Sequence, residues 1–327
     1  MTTSEATQMR ATRELRTEQA LFRGAGLTLE NSEYSAVVGS LTDMLLRTDL
    51  APCDLTVDAL ALESEPGSAV ILAREPGVAA GLAELSWMLR ARGVEVALEK
   101  QDGEIFASGE ALAQFTGPRR QLLSLERVGL NLVQRMCGIA TAARSLQDRV
   151  HSRNSSTRVV ATRKTPWGLL DKRAVHLGGC GTHRIGLGDA ILIKNNHLAL
   201  IASREEEAAR LAIERVWKSR KQSAFIEIEV RSHVAAVAAA RAFRTLQTQT
   251  SDEYPCLLLL DNMKPEEIGG ILETLRRENL WEYVLTEASG GIAESNIEAY
   301  AECDVDAISV GALTHSARAL DLSQRIS

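Results

Sequence analysis

The strongest constraint on this chain is a recurrence in its second half. Short aliphatic runs open at Arg158, Ala190, Phe225, Cys256, Tyr283 and Ala307, at spacings of 24 to 35 residues. A strand, a helix and two loops fit each interval, and that alternation predicts parallel strands joined by right-handed crossovers. A barrel is the natural closure. An open doubly wound sheet has the same period, but no dinucleotide-binding or P-loop glycine pattern follows the first run, and Gly179-Cys180-Gly181 leads to Arg184 where the third glycine would stand.

The first half reads differently. Between Ser35 and Gln121 the signals are mixed: a helix over 37–50, a strand over 68–75, a turn at Glu75-Pro76-Gly77, a helix over 79–93, and short strands over 94–98 and 105–108. Together they predict a small α+β domain. Leu125, Val128, Leu132, Met136 and Ile139 then follow at threes and fours, the spacing of a long helix with one buried face. Met1 to Arg23 mixes charged and short polar residues where a secretory signal would need an apolar stretch, and is expected to be a solvated helical extension.

Bulk composition excludes several classes of function. With 45% hydrophobic and 24% charged residues the chain is neither disordered nor fibrous, and no aliphatic run is long enough to cross a bilayer. A net charge of −6 and 4% aromatic residues leave no polyphosphate-binding face and few stacking platforms, so nucleic acid is not an expected partner. Five scattered cysteines, with no C-x-x-C pair, suit a reducing cytoplasm.

In parallel α/β barrels the loops after the strands' carboxyl ends build the active site. Taken in order, those ends carry Arg163 and Lys164, then Lys194, Glu229, Asp261, Ser289 with Gly290 and Gly291, and Gly311. The stretch from Arg158 to His197 is locally basic, at +5. Arginine forks match carboxylates and lysine acts as a point charge, so the cluster suits a small, multiply anionic ligand. Lys172 and Arg173 are instead expected on an exposed helix start. The glycine-rich segment before Thr182 could carry His183 and Arg184 to that ligand, and His197 is expected to cap the helix that follows. Glycine turns on the last two strands let backbone N–H groups approach a phosphate. Glu227 and Glu229 alternate along one strand and so face one side, as sugar hydroxyls, a hydrated magnesium ion or a simple salt-bridged pair would require.

Jointly, Glu126-Arg127 with Leu130-Asn131, Thr162-Arg163-Lys164-Thr165, Gly178-Gly179 with His183-Arg184, Leu192-Ile193-Lys194 with Asn196-His197, Glu227-Ile228-Glu229-Val230, Leu260-Asp261-Asn262, Ser289-Gly290-Gly291-Ile292 and Ser309-Val310-Gly311 resemble the nicotinate-nucleotide pyrophosphorylase (carboxylating), or quinolinate phosphoribosyltransferase, family. Arg74-Glu75-Pro76-Gly77-Val78 resembles its N-terminal domain. The resemblance implies an α/β protein in which residues 35–129 form an N-terminal α+β sandwich domain and residues 130–312 an open, incomplete TIM-like α/β barrel. Residues 1–34 are then the polar extension, and residues 313–327 a tail packing back on the N-terminal domain.

The activity implied is transfer of phosphoribose from phosphoribosyl pyrophosphate (PRPP) to quinolinate with decarboxylation, giving nicotinate mononucleotide, carbon dioxide and pyrophosphate in NAD synthesis. Carried over position by position, Arg163, His183, Arg184 and Lys194 surround the acid, with Lys164 between the substrates and Arg127 arriving from a second subunit of a homodimer. Glu229 and Asp261 hold ribose hydroxyls and Mg2+, and with Lys164 form the catalytic set. Ser289, Gly290, Gly291 and Gly311 bind phosphate. The Thr165 to Lys172 segment is shorter than the family's usual form, which makes another pyridine carboxylate the alternative substrate. A Schiff-base aldolase using Lys164 or Lys194, and a phosphosugar-binding barrel without turnover, are the rival readings.

Overall fold

The computed structural model describes residues 3–61 and 65–326. Two compact units emerge. One comprises the residues up to Arg23 together with Leu146–Arg163 and Gly181–Gly311, and the other comprises Gly24–Ser145, Lys164–Cys180 and the residues from Ala312 onward.

In the first unit the recurrent runs become the strands Arg158–Val160, Ile191–Ile193, Ile226–Val230, Cys256–Asp261, Leu285–Ser289 and Ala307–Ser309. All pair in parallel, in an order that runs from Arg158–Val160 through the last four strands in reverse sequence to Ile191–Ile193. Among the described residues no ladder joins the two edge strands, so the sheet is an open arc rather than a closed ring. The run Cys256-Leu257-Leu258-Leu259-Leu260 is leucine-rich, which favours a helix, yet all five residues are buried within a strand. Parallel strands are covered on both faces, and near-continuous apolar sequence satisfies that requirement.

Crossover helices start where the sequence supplies caps. Ser232 Oγ accepts from the Ala235 N–H at 3.2 Å ahead of the alanine-rich helix His233–Thr250. Pro265 opens the helix Pro265–Arg277, and Glu267 accepts the Lys264 N–H at 2.8 Å.

The N-terminal helix Thr3–Leu21 is not solvated throughout, contrary to the sequence expectation. Its charged residues hide a short buried stripe. Arg13 pairs with Asp306 and lies over the Trp281 ring, 3.6 Å from its centroid. Ala20 and Leu21 share a buried cluster with Val160, Ala190, Phe225, Leu257, Leu285 and Ala307, one residue from or beside each strand.

The second unit holds a four-stranded antiparallel sheet in the order Leu322–Ile326, Pro66–Ala73, Ala111–Pro118, Glu95–Leu98. Helices Ser32–Leu50 and Leu82–Arg90 also belong to it. Sequence inspection does not anticipate Ala111–Pro118, although it is a central strand. Its alternation is broken by consecutive buried Leu112 and Ala113, where the register with Pro66–Ala73 shifts at Ile71 and Leu72. Lys172 and Arg173 are also not at an exposed helix start. They lie inside the helix Leu169–Leu177, with Lys172 buried and Arg173 3.4 Å from buried Glu84.

Candidate active site

The polar residues at the carboxyl ends of the parallel strands fall into three groups within the first unit. The first is acidic. Glu229 and Asp261 end adjacent strands, and the Arg231 guanidinium spans them, 3.4 Å from Glu229 and 3.0 Å from Asp261. Burial first, and then the charge of Asp261, push the Glu229 carboxyl above its ordinary range. Asn262 donates from Nδ2 to Asp261 at 2.8 Å. These are hard oxygen donors at neighbouring positions, with a cation already drawn to them, and that set fits a magnesium ion. Arg231 was not singled out from sequence. It lies two residues beyond Glu229, outside the aliphatic run, and only the fold brings it to Asp261.

The second group is basic. Arg184 is buried, donates from Nη1 to the Ala190 carbonyl at 3.3 Å, and has its pKa lowered first by burial and then by the nearby Arg163 charge. Glu227 and Asp189 also act on it by charge, so two guanidiniums lie near one another with carboxylates close by, and arginine forks match carboxylate groups. Arg163 itself is exposed. Lys194 is exposed as well, and its backbone N–H is capped by His197 Nδ1 at 2.9 Å, the capping role expected for that histidine.

The third group is formed by glycine turns. The Ser289 carbonyl accepts the Asn262 N–H at 2.8 Å, and Ser309 Oγ lies 2.9 Å from Ser289 Oγ, so three strand ends are tied together. Gly290 and Gly291 follow with φ of +92 and +64, which presents consecutive backbone N–H groups in a curved turn.

His183 lies beneath the basic group. Its Nε2 is 2.8 Å from Glu227 and 3.3 Å from Glu287, all three residues being buried, while Nδ1 accepts the Arg184 N–H at 2.7 Å. Burial resists charge on the ring, while Glu227 and Glu287 favour it. Burial, and next Glu287, push Glu227 up to about 7. Nδ1 accepts the Arg184 N–H through its lone pair and so carries no hydrogen, which leaves the ring hydrogen on Nε2, facing the carboxylates. Glu227 and Glu229 face one side of their strand, as alternation requires, yet serve different neighbours. Glu287 was not identified from sequence, because its pairing with His183 spans more than a hundred residues.

Lys164 and Arg127 belong to the second unit, and both are exposed. The Lys164 carbonyl accepts from Thr314 Oγ1 at 2.8 Å. In the same unit Arg135 grips Asp171 through Nε and Nη2 at 2.8 and 2.7 Å, and Thr165 also bonds Asp171, which pins the turn after Lys164.

A barrel-type parallel sheet with acidic, basic and glycine-turn groups at one end defines an enzyme that handles a phosphorylated sugar and an anionic acceptor. Profile comparison is more specific. Residues 54–137 match the N-terminal domain, and residues 139–325 the C-terminal domain, of quinolinate phosphoribosyl transferase, and the chain belongs to that family. It is 39% identical over 284 residues to the probable nicotinate-nucleotide pyrophosphorylase (carboxylating) of Methanothermobacter thermautotrophicus, covering 86% of this chain and 96% of that one. Identity to the human nicotinate-nucleotide pyrophosphorylase (carboxylating) is 32% over 291 residues, covering 88% of this chain and 91% of that one. The solved nicotinate-nucleotide pyrophosphorylase of Francisella tularensis superposes with a TM-score of 0.74 at 29% identity, covering 89% of this chain and 96% of that structure.

Proposed function

We propose that the carboxyl-end rim of the parallel sheet performs the family's reaction through the residue groups described above. The chain is a phosphoribosyltransferase of NAD biosynthesis, converting PRPP and quinolinate to nicotinate mononucleotide, carbon dioxide and pyrophosphate. The observation that carries the assignment of roles is the pairing, within one compact unit, of a guanidinium pair at Arg163 and Arg184 with a carboxylate pair at Glu229 and Asp261. A pyridine diacid needs the first, and a sugar diphosphate with its metal needs the second.

In this reading Arg163, Arg184 and Lys194 take the acid's carboxylates, with His183 supporting them. Ser289, Gly290, Gly291 and Gly311 take phosphate oxygens. Glu229 and Asp261 orient the ribose and would hold Mg2+, whose chemistry is to neutralise the departing pyrophosphate. Lys164 is assigned as an additional cation between the substrates, and Arg127 as an acid ligand supplied by the second copy in a homodimer, both on the family motif. The cytoplasm is the assigned compartment, supported by five free cysteines. No helix among the described residues is long and apolar enough to cross a membrane.

Chemically, the bond from the ribose carbon to pyrophosphate breaks as the pyridine nitrogen bonds to that carbon. Fixed cations and carboxylates hold the two reactants in line, so orientation is not lost at the transition state. The carboxylate next to the ring nitrogen then leaves as carbon dioxide, and the carbanion, stabilised by the cationic ring, takes up a proton.

The test is direct. Purified protein with magnesium, PRPP and ring-labelled quinolinate should form nicotinate mononucleotide and release one carbon dioxide per turnover. Turnover of nicotinate but not quinolinate would replace the substrate, borohydride trapping of Lys164 or Lys194 with a carbonyl compound would favour an aldolase, and PRPP binding without pyrophosphate release would mark a binding protein.

A further inference from the structure

Two carboxylates in the aliphatic interior of a sheet demand an explanation. Glu227 sits between Ile226 and Ile228, and Glu287 just before Ala288, every one of them buried. Burying such groups costs stability unless they are fully paired, and neither oxygen of Glu227 nor Oε2 of Glu287 is in hydrogen-bond geometry, so what they offer His183 Nε2 is a close charge contact at 2.8 and 3.3 Å. An apolar residue at either position would pack with less cost.

Both carboxylates converge on His183, whose backbone φ is +54, a strained value for a residue with a side chain. Strain of this kind persists only where surrounding contacts over-determine it. Here the His183 N–H donates to the Leu21 carbonyl at 2.9 Å, and the ring stands edge-on to Phe225 with centroids 5.3 Å apart. Nε2 faces the two carboxylates, and Nδ1 accepts the Arg184 N–H. The imidazole is therefore a strut: one edge is fixed by Glu227 and Glu287, and the other fixes the peptide that begins Arg184.

We propose that Glu227 and Glu287 are positioning residues for acid binding, clamping His183 so that it holds the Arg184 backbone, and with it the guanidinium, at the substrate rim. This rests on Arg184 being a ligand of the pyridine acid. A clamp of this kind predicts damage confined to one substrate, because the carboxylate group at Glu229 and Asp261 and the glycine turns are not built on His183. A misplacement of about 1 Å in a positioning group can cost on the order of a hundredfold.

The experiment compares wild type, Glu227→Leu, Glu287→Leu, Glu227→Gln and Glu287→Gln. The leucine variants should raise the KM for quinolinate roughly tenfold or more while the KM for PRPP stays within about twofold, and the glutamine variants, which keep a polar oxygen of the same reach facing Nε2, should recover most of the loss. Protein labelled with 15N-histidine supplies a readout that needs no substrate. His183, assigned by His183→Gln, should show the Nε2–H tautomer in wild type and lose it in the leucine variants. Equal rises in both KM values, unchanged quinolinate KM, or a wild-type His183 carrying a hydrogen on Nδ1, with or without one on Nε2, would overturn the clamp. A wild type that shows the tautomer but does not turn over quinolinate would refute the proposed reaction and with it the acid-binding role of the clamp, whereas a turned-over quinolinate with the wrong tautomer would refute the clamp alone. Thermal unfolding, followed in parallel, identifies a variant that fails only by unfolding, and the glutamine pair then decides.

Discussion

Replacing Gly290 with alanine tests the glycine-turn geometry against an internal control. An added Cβ would lie 2.4 Å from Asn262 Oδ1, 2.6 Å from its Cγ and 2.8 Å from its backbone nitrogen. The side-chain amide could rotate away, but the nitrogen could not, because its N–H donates to the Ser289 carbonyl at 2.8 Å. Backbone strain at a φ of +92 costs about 1 to 2 kcal/mol, and overpacking against a fixed atom adds roughly 1 to 3, so the total is about 3 kcal/mol. At Gly291 φ is +64 and nothing lies within 4 Å of the added Cβ, which leaves strain of about 1 kcal/mol alone. Gly290→Ala should therefore unfold about 4 to 8 °C below Gly291→Ala in thermal denaturation. Its KM for PRPP should rise more than its KM for quinolinate, since Ser289 and Asn262 move together. Equal melting temperatures, or a change confined to quinolinate, would refute the reasoning.

Three further outcomes are expected. Asp261→Asn removes one of two adjacent carboxylates, and should weaken Mn2+ binding measured by electron paramagnetic resonance and slow turnover on the order of a hundredfold or more, by analogy with loss of a preorganised charge. Undiminished Mn2+ binding would move the metal site elsewhere. Mixing Arg127→Ala with Lys164→Ala chains should restore some activity through one intact hybrid site, and no recovery in verified heterodimers would count against the shared site. Glu84 is buried beside Asp102, and burial, then that charge, raise its pKa above the ordinary 4.5. A carboxyl whose folded pKa is raised binds its proton more tightly when folded, so its stabilisation is complete at pH below 4.5 and is lost as pH rises above it. The melting temperature of Glu84→Gln relative to wild type should thus climb between pH 4 and 7, and a constant difference would show that Glu84 does not titrate in this way.

Local sequence alone carried much of this protein. Parallel strands covered on both faces must be aliphatic, so all six were visible as runs, and a polar residue ending such a run is costly enough to stand out. Arg163, Lys194, Glu229, Asp261 and Ser289 were legible for that reason, as was the capping role of His197. Ala111–Pro118 was not, because a register shift broke its alternation. Buried stripes on the helix Thr3–Leu21 and at Lys172 were masked by the charged residues that surround or compose them. Arg231 reaching Asp261, and Glu227 and Glu287 converging on His183, could be decided only by tertiary structure. Periodicity reports which side of an element faces the interior, whereas a contact between distant strands depends on register and curvature, which no local stretch of residues contains.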